Sequence, residues 1–288
     1  MYIDIYGKKR QKLGLHIHTT RSDGRKTPEE VAEIYKSAGY DAIALTDHWL
    51  YNGFGEINGL KIISGAEFNV GGNDCMEGVY HMVSLFTDND PKPERTNTPA
   101  EIADKIHREN GIAVIAHPAW SLNPPDILAG MENVDATEIY NSVSAVGESF
   151  RPDSSLLVDM TANRGKDFLL FATDDTHFYE GEDNCVSYIM VECDTTEPAA
   201  LKEAILAKRF YATQGPEIHL TRDGNNFRVD CSPVKHIYFA TQAAWTVRSA
   251  HGEGITSAEY TVRDFEKYVR AFVIDADGKQ AWSNIIRV

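Results

Sequence analysis

Long apolar runs are missing from this 288-residue chain. No stretch approaches the roughly 18 consecutive apolar residues of a membrane-spanning helix. The first residues, MYIDIYGKKRQKLG, lack the apolar core of a secretory leader. Cysteine is scarce: Cys75, Cys185, Cys193 and Cys231 form no CxxC pair, so they read as free, partly buried thiols without a role. Internal repeats and low-complexity tracts are absent. A basic surplus is absent too, since the net charge is −15, which argues against a nucleic-acid duplex as partner. These absences leave a cytoplasmic globular protein with no membrane partner. Its length suits one large catalytic domain, or one domain with a small appendage.

The charge is uneven. Residues 215–288 hold nine basic and nine acidic side chains, so the whole excess lies in residues 1–214, with 19 basic and 34 acidic. The texture changes at the same place. Up to residue 214, short runs rich in Val, Ile, Leu and Ala alternate with helical patterns: Leu13–Ile17, Ala42–Thr46, Lys61–Ser64, Val79–Phe86, Ile112–Ala116, Ala136–Tyr140, Phe168–Ala172 and Val186–Val191. Thr27-Pro28-Glu29-Glu30 and Thr98-Pro99-Ala100-Glu101 mark helix starts, with Gly39 and Gly111 as stops, and a third helix is expected over Glu197–Lys208. Repeated strand–helix units imply a parallel sheet, open or closed into a barrel. From Gly215 onward, seven short alternating segments follow: Ile218–Arg222, Phe227–Asp230, His236–Ala240, Trp245–Ser249, Ser257–Val262, Tyr268–Ile274 and Gln280–Val288. They read as a small antiparallel sandwich. The expected division is a barrel-like hydrolase over 1–214 and a β appendage over 215–288.

Histidine and acidic residues collect at the ends of the first group of strands. His16 and His18 end the first, with Asp23 close behind; His48 follows the second and Glu67 the third. His81 lies near the start of the fourth, His117 follows the fifth, and Asp175 and His177 follow Phe168–Ala172. Carboxyl ends of strands in α/β folds face one mouth, so these residues converge whatever their sequence separation. The spacing in His16-x-His18 and in Asp175-x-His177 points both side chains to one face. Mixed imidazole and carboxylate donors suit Zn, Mn or Fe. Nine donors fit two or three divalent ions, with Glu67 as a bridge. Asp47 and Asp174, beside donors, are expected to orient His48 and to tighten a loop. His107 is expected on an exposed helix face, and His219, His236 and His251 are expected to carry no chemistry.

These motifs resemble those of the PHP (polymerase and histidinol phosphatase) superfamily: His16-Ile-His18 with Thr-Thr-Arg-Ser-Asp23-Gly, Thr-Asp-His48, Gly-Ala-Glu67, His81, Ala-His117-Pro and Asp175-Thr-His177. The resemblance runs closely over residues 12–178. It implies a distorted (β/α)7 TIM-like barrel followed by the small C-terminal β-sandwich. It also implies one ion on His16, His18, Glu67 and Asp175, a second on Glu67, His81 and His117, and a third on Asp23, His48 and His177. Lys208–Glu217 and the segment from Tyr268 through Asn284 are similar to the CehA/McbA branch, which carries a C-terminal β domain. Gly14-Leu15 stands where many members have Asp-Leu, at a position that is not a ligand.

The implied activity is hydrolysis of a small phosphate monoester by a hydroxide bridging the metals, with the ions neutralising the phosphoryl oxygens. Arg21 is the candidate phosphate clamp, and Asn141 a candidate substrate contact. The same site could cleave a carbamate, amide or carboxylic ester, and a non-catalytic metal-binding module is the reading from another class. Leaving group, metal identity and oligomeric state are not readable from the sequence.

Overall fold

The computed structural model describes residues 2–72, 78–147, 149–245 and 249–288. Cys75 and the middle of the Trp245–Ser249 segment lie outside the described residues. In chain order, β1 (Tyr2–Ile3) and β2 (Lys9–Gly14) lead to α1 (Pro28–Ser37), then β3 (Ala42–Ala44), β4 (Gly55–Ile57), β5 (Leu60–Ile63), β6 (Gly65–Val70) and β7 (Tyr80–Leu85). Next come α2 (Pro99–Arg108), β8 (Ile112–Ile115), α3 (Pro125–Gly130), β9 (Ala136–Asn141), α4 (Val143–Val146), α5 (Ser155–Asn163) and β10 (Leu169–Thr173). After β11 (Tyr188–Glu192), α6 (Pro198–Leu206) and β12 (Phe210–Thr213), the chain continues as β13 (Ile218–Asp223), β14 (Asn226–Ala240), β15 (Ala250–Thr261), β16 (Tyr268–Ile274), β17 (Gln280–Trp282) and β18 (Ile286–Arg287).

The expected helix starts hold. Thr27 accepts from the Glu30 N–H while the Glu30 carboxylate accepts from the Thr27 N–H, and Thr98 and Glu101 repeat the reciprocal pair. Each helix buries a short apolar stripe, Val31, Ala32 and Tyr35 in α1, and Ile102, Ala103 and Ile106 in α2. Helix α6 starts later than expected, at Pro198, with Glu197 as an N-cap that makes no side-chain bond.

The barrel expectation is met in part: the fold is mixed α/β, and a closed barrel is not shown among the described residues, although isolated parallel bridges join the chain beyond β2 to that beyond β10, and the chain beyond β3 to β6. The strands make two sheets, one of 13 strands with the path β13-β14-β16-β17-β12-β11-β2-β3-β5-β4, and one of five in the order β10-β9-β8-β7-β6. Pairing is parallel for β2–β3, β3–β5, β8–β9 and β9–β10, but antiparallel for β6–β7, β7–β8 and β11–β2. Two neighbouring strands, β6 and β7, are joined by a link too short for a crossover, which forces the antiparallel sense. The sheets touch through isolated bridges, Ile17 with Thr176 and His48 with Glu67, together with the antiparallel pair of Asn52 and Gly65. Gly65 is needed at that crossing, because a Cβ there would lie 2.9 Å from the Leu45 carbonyl oxygen.

The antiparallel strands expected beyond Gly215 are present, and they extend the first sheet. β17 pairs with β12 across the 214/215 boundary, Ala212 opposite Trp282. Tyr268, Trp282 and Ile285 join the same core as Leu13, Ile115 and Phe171. The two segments expected at Phe227–Asp230 and His236–Ala240 are one long strand, β14. Its register breaks between Asp230 and Val234, where Pro233 has no N–H to donate to the ladder.

Candidate metal centre

The two strands nearest the sheet junction deliver the first donors. Beyond β2 the chain stays extended, with Leu15 and Ile17 buried in apolar clusters and His16 and His18 turned to the opposite face. The segment is clamped from both sides. The Thr46 N–H donates to the Ile17 carbonyl at 2.8 Å, and the Asp175 N–H donates to the His16 carbonyl at 2.9 Å. His48 follows β3 and bridges to Glu67, which sits within β6 rather than in a loop after β5. His81 lies in β7, and His117 follows β8. His117 (φ 28°) and Asp175 (φ 52°), both immediately past strand ends, adopt left-handed backbone, the kind of strain that a surrounding fold must enforce.

All nine expected donors come together. His16 Nε2, His18 Nε2, Glu67 Oε2 and Asp175 Oδ1 form the tightest set: His16–His18 3.1 Å, His16–Glu67 3.2 Å, His16–Asp175 3.2 Å, His18–Glu67 3.0 Å and His18–Asp175 3.1 Å. All four atoms lie within 4.8 Å of one another, a spacing that donors around one metal ion can share. On one side of this set, Glu67 Oε1 lies 2.8 Å from His81 Nδ1 and 3.5 Å from His117 Nε2, and Asp175 Oδ2 lies 3.6 Å from His117 Nε2. On the other, Asp23 Oδ1 is 3.5 Å from both His177 Nε2 and His18 Nδ1, and Asp23 Oδ2 is 3.7 Å from His48 Nε2. His48 also faces Glu67, through Nδ1 at 3.3 Å.

Burial penalises every charge here, yet the charges persist because they face one another. Burial alone would raise Glu67 and Asp175, but the surrounding imidazoles outweigh it and hold both below the ordinary carboxylate range. Burial would lower His16 and His177, but Asp175, Glu67 and Glu138 drive His16 well above its ordinary value, and Asp23 and Asp175 push His177 up to about 9. The cluster therefore favours positive charge among its carboxylates, which a divalent cation would supply. Three buried atoms at this place, His48 Nδ1, His81 Nε2 and Asp175 Oδ1, have no hydrogen-bond partner, so the donor set fits a metal. A second buried cluster, Asp4, Glu217 and His219, differs. There the oxygens accept from Arg10, the Tyr2 hydroxyl and the Ile5, Tyr6 and Lys8 N–H groups, so the chain itself meets the charge.

Residues 14–102 match the PHP domain family. The chain is similar to PHP domains over that span. The matched span contains His16, His18, Asp23, His48, Glu67 and His81, while His117, Asp175 and His177 lie beyond it. The chain is 29% identical over 119 residues to an uncharacterized protein, MJ1587, of Methanocaldococcus jannaschii, covering 37% of this chain and 67% of that one. Its fold is similar to that of a two-domain protein from Bacteroides vulgatus containing a predicted PHP-like metal-dependent phosphoesterase, with TM-score 0.56, 16% identity, and coverage of 99% and 96% of the two chains. It is also similar to endonuclease Q in complex with a 27-mer duplex carrying an abasic lesion, with TM-score 0.51 and 16% identity over 69% of this chain and 57% of that one. No described helix is long and apolar enough to cross a membrane.

Around the PHP donors, several residues hold positions that the sequence did not disclose. Glu138, in β9 and buried, accepts from His16 Nδ1 at 2.6 Å, from the His117 N–H at 2.8 Å and from Asn141 Nδ2 at 2.8 Å. It fixes the His16 tautomer so that Nε2 keeps a lone pair for the cluster. A carboxylate inside an otherwise apolar strand was the available signal. Asn141 is corrected: fully buried, it donates to Glu138 and to Asp175 Oδ2, and its oxygen accepts from Ser144, so it has nothing left for a substrate. The Arg21 guanidinium donates to Asn52, and Arg21 is not among the residues lining the cleft over the donors. Asp47 does not touch His48. It accepts from Thr19, Ser22 and Asn52 and so shapes the loop between His18 and Asp23. Asp174 behaves as expected, accepting from the Cys185, Val186 and Ser187 N–H groups. Unforeseen, Asp183 does the same for His177, Phe178 and Tyr179. His107 is exposed on α2, as expected, and pairs with Asp135 at 2.7 Å.

The donors floor a cleft of about 580 Å³ whose walls include Trp49, Trp120, Phe178, Arg25 and Arg95. Arg25 pairs with Glu180 at 2.7 Å.

Proposed function

We propose that this chain is a metal-dependent phosphoesterase acting on a small phosphate monoester, with its catalytic body in residues 1–214 and residues 215–288 as a β flank of the CehA/McbA-like kind. The observation that carries this reading is the four-donor set of His16, His18, Glu67 and Asp175, with edges of 3.0–3.2 Å, opening into a cleft of substrate size. His16, His18, Glu67 and Asp175 would hold one divalent ion, Glu67, His81 and His117 a second, and Asp23, His48 and His177 a third, as Mn, Fe or Zn. Such ions, when bound, supply Lewis acidity and a water of lowered pKa. The residues of the chain do the rest. Glu67 spans two donor groups through its two oxygens. Glu138 and the Asp175 carbonyl hold His16 and His177 by Nδ1, leaving Nε2 toward the cleft. Trp49, Trp120 and Phe178 keep bulk water from the reacting phosphoryl group. The acidic charge of the body disfavours a nucleic-acid duplex as substrate.

Phosphate release from a panel of nucleotide and sugar phosphomonoesters, with added Mn²⁺ and again after chelation, tests this. Metal-dependent release from a subset is expected. Silence across the panel in protein that demonstrably carries metal would move the activity to carbamates, amides or carboxylic esters at the same donors.

A further inference from the structure

The cleft does not end at the donors. Arg95 and Asn69 line both it and an adjoining groove of about 740 Å³, whose other walls include Gly72, Tyr80 and Thr98. Arg95 thus stands where the two cavities meet. Its guanidinium lies over the Trp49 indole, 4.4 Å from the ring centroid, and forms no ion pair with a carboxylate among the described residues. Stacking on an aromatic face orients a guanidinium and leaves its N–H edge free for an anion.

Trp49 itself is held at some expense. It is a bulky residue in left-handed backbone, φ 56°, a conformation that persists only where the surroundings enforce it. Its N–H donates to the Glu67 carbonyl at 2.8 Å, its indole N–H donates to Asn69, and its ring packs edge-on against Phe68 at 5.3 Å. Trp49 supplies no donor atom to the metal cluster, yet it is tied by backbone to Glu67 and follows His48 in sequence. The arrangement sets the indole, and the arginine on it, at a fixed offset from the donors.

We infer that Arg95, seated on Trp49, binds a second phosphate of the substrate, so that the substrate is a small bisphosphorylated metabolite: one phosphoryl group lies over the metal donors and the other at the junction of the two cavities. This rests on the phosphoesterase reading and narrows its substrate class. Guanidinium and phosphate match bidentately, and a net charge of −15 disfavours a long polyanion such as an oligonucleotide more than a small ligand with two phosphates.

The test compares kcat/KM for sugar and nucleoside bisphosphates with their matched monophosphates, and with a 5′-phosphorylated oligonucleotide, in the metal-loaded enzyme and in Arg95→Ala and Arg95→Lys. The unaltered chain should prefer bisphosphates by about tenfold or more, through KM. Arg95→Ala should remove most of that preference while Arg95→Lys retains part. Because Arg95 is exposed, both variants should keep the melting temperature of the parent. Hydrolysis of monophosphates with no gain from a second phosphate overturns the inference and leaves the phosphoesterase reading standing. A preference unchanged in Arg95→Ala, or one for the oligonucleotide, also overturns it. No release from any phosphate ester removes both together.

Discussion

Replacing Glu138 by Gln isolates the group that orients the metal donors without touching a donor. One Glu138 oxygen accepts from His16 Nδ1; the other accepts from two donors, the His117 N–H and Asn141 Nδ2. A glutamine must put its single oxygen on one side. The two-donor side wins, since an NH2 there would face two N–H groups. The glutamine NH2 then points at His16 Nδ1 and forces it to accept. His16 moves its proton to Nε2, the atom within 3.2 Å of Glu67 and Asp175, and loses the lone pair a metal would use. Loss of such an orienting partner costs about 10–100-fold in metal affinity, or roughly 1.4–2.8 kcal/mol. Calorimetric titration of the metal-free protein with Zn²⁺ or Mn²⁺ measures it directly, with circular dichroism to verify the fold. An affinity within about threefold of the parent, in folded protein, would refute the tautomer argument.

Three further outcomes follow from the same geometry. A Cβ at Gly24 would lie 2.4 Å from the His18 carbonyl oxygen, so Gly24→Ala should displace the loop between His18 and Asp23. It should cost about 1–3 kcal/mol, seen as a melting temperature several degrees lower and weaker metal uptake; an unchanged melting curve would contradict this. Glu266 is raised by burial, but Arg263, Tyr260 and Thr241 outweigh that and hold its carboxyl at about 2 against 4.5 in the unfolded chain. A depressed folded pKa means stability present above pH 4.5 and lost as pH falls toward 2. Glu266→Gln should therefore melt lower than the parent at pH 7, by an amount worth about 1–3 kcal/mol, and the gap should close below pH 4.5; a gap independent of pH would count against the pairing. Finally, deleting residues 215–288 should give insoluble protein, because it strips Tyr268, Trp282 and Ile285 from the main core and Arg270 from Asp159. A soluble, folded 1–214 fragment would disprove that dependence.

The cluster was legible because its chemistry is rare and most of its residues fall just past strand ends, although Glu67 and His81 lie within β6 and β7. The α1 and α2 starts were legible because a capping box is a local device complete within four residues. What failed was non-local. Apolar runs do not say that β11 will pair with β2 antiparallel, across some 180 residues of chain, and carry that sheet on into the C-terminal strands. Asn141 shows a related limit: a polar residue near a mouth looks available until the partners that engage it, Glu138 and Asp175, are placed beside it. Arg95 offered no motif at all, since its setting is made by Trp49, far back in sequence.

The junction of the two sheets has a kinetic consequence. Of the four closest donors, His16 and His18 extend from the first sheet, and Glu67 and Asp175 belong to the second. An ion held among them would clasp a seam that is also fastened by backbone bonds, such as those from the His18 N–H to the Thr176 carbonyl and from the Trp49 N–H to the Glu67 carbonyl. Parting of the seam would release such an ion faster than escape through the cleft alone, so its exchange rate would rise with the frequency of that opening. Amide hydrogen exchange at His18 and Trp49, slowed as metal is added, would time the clasp directly.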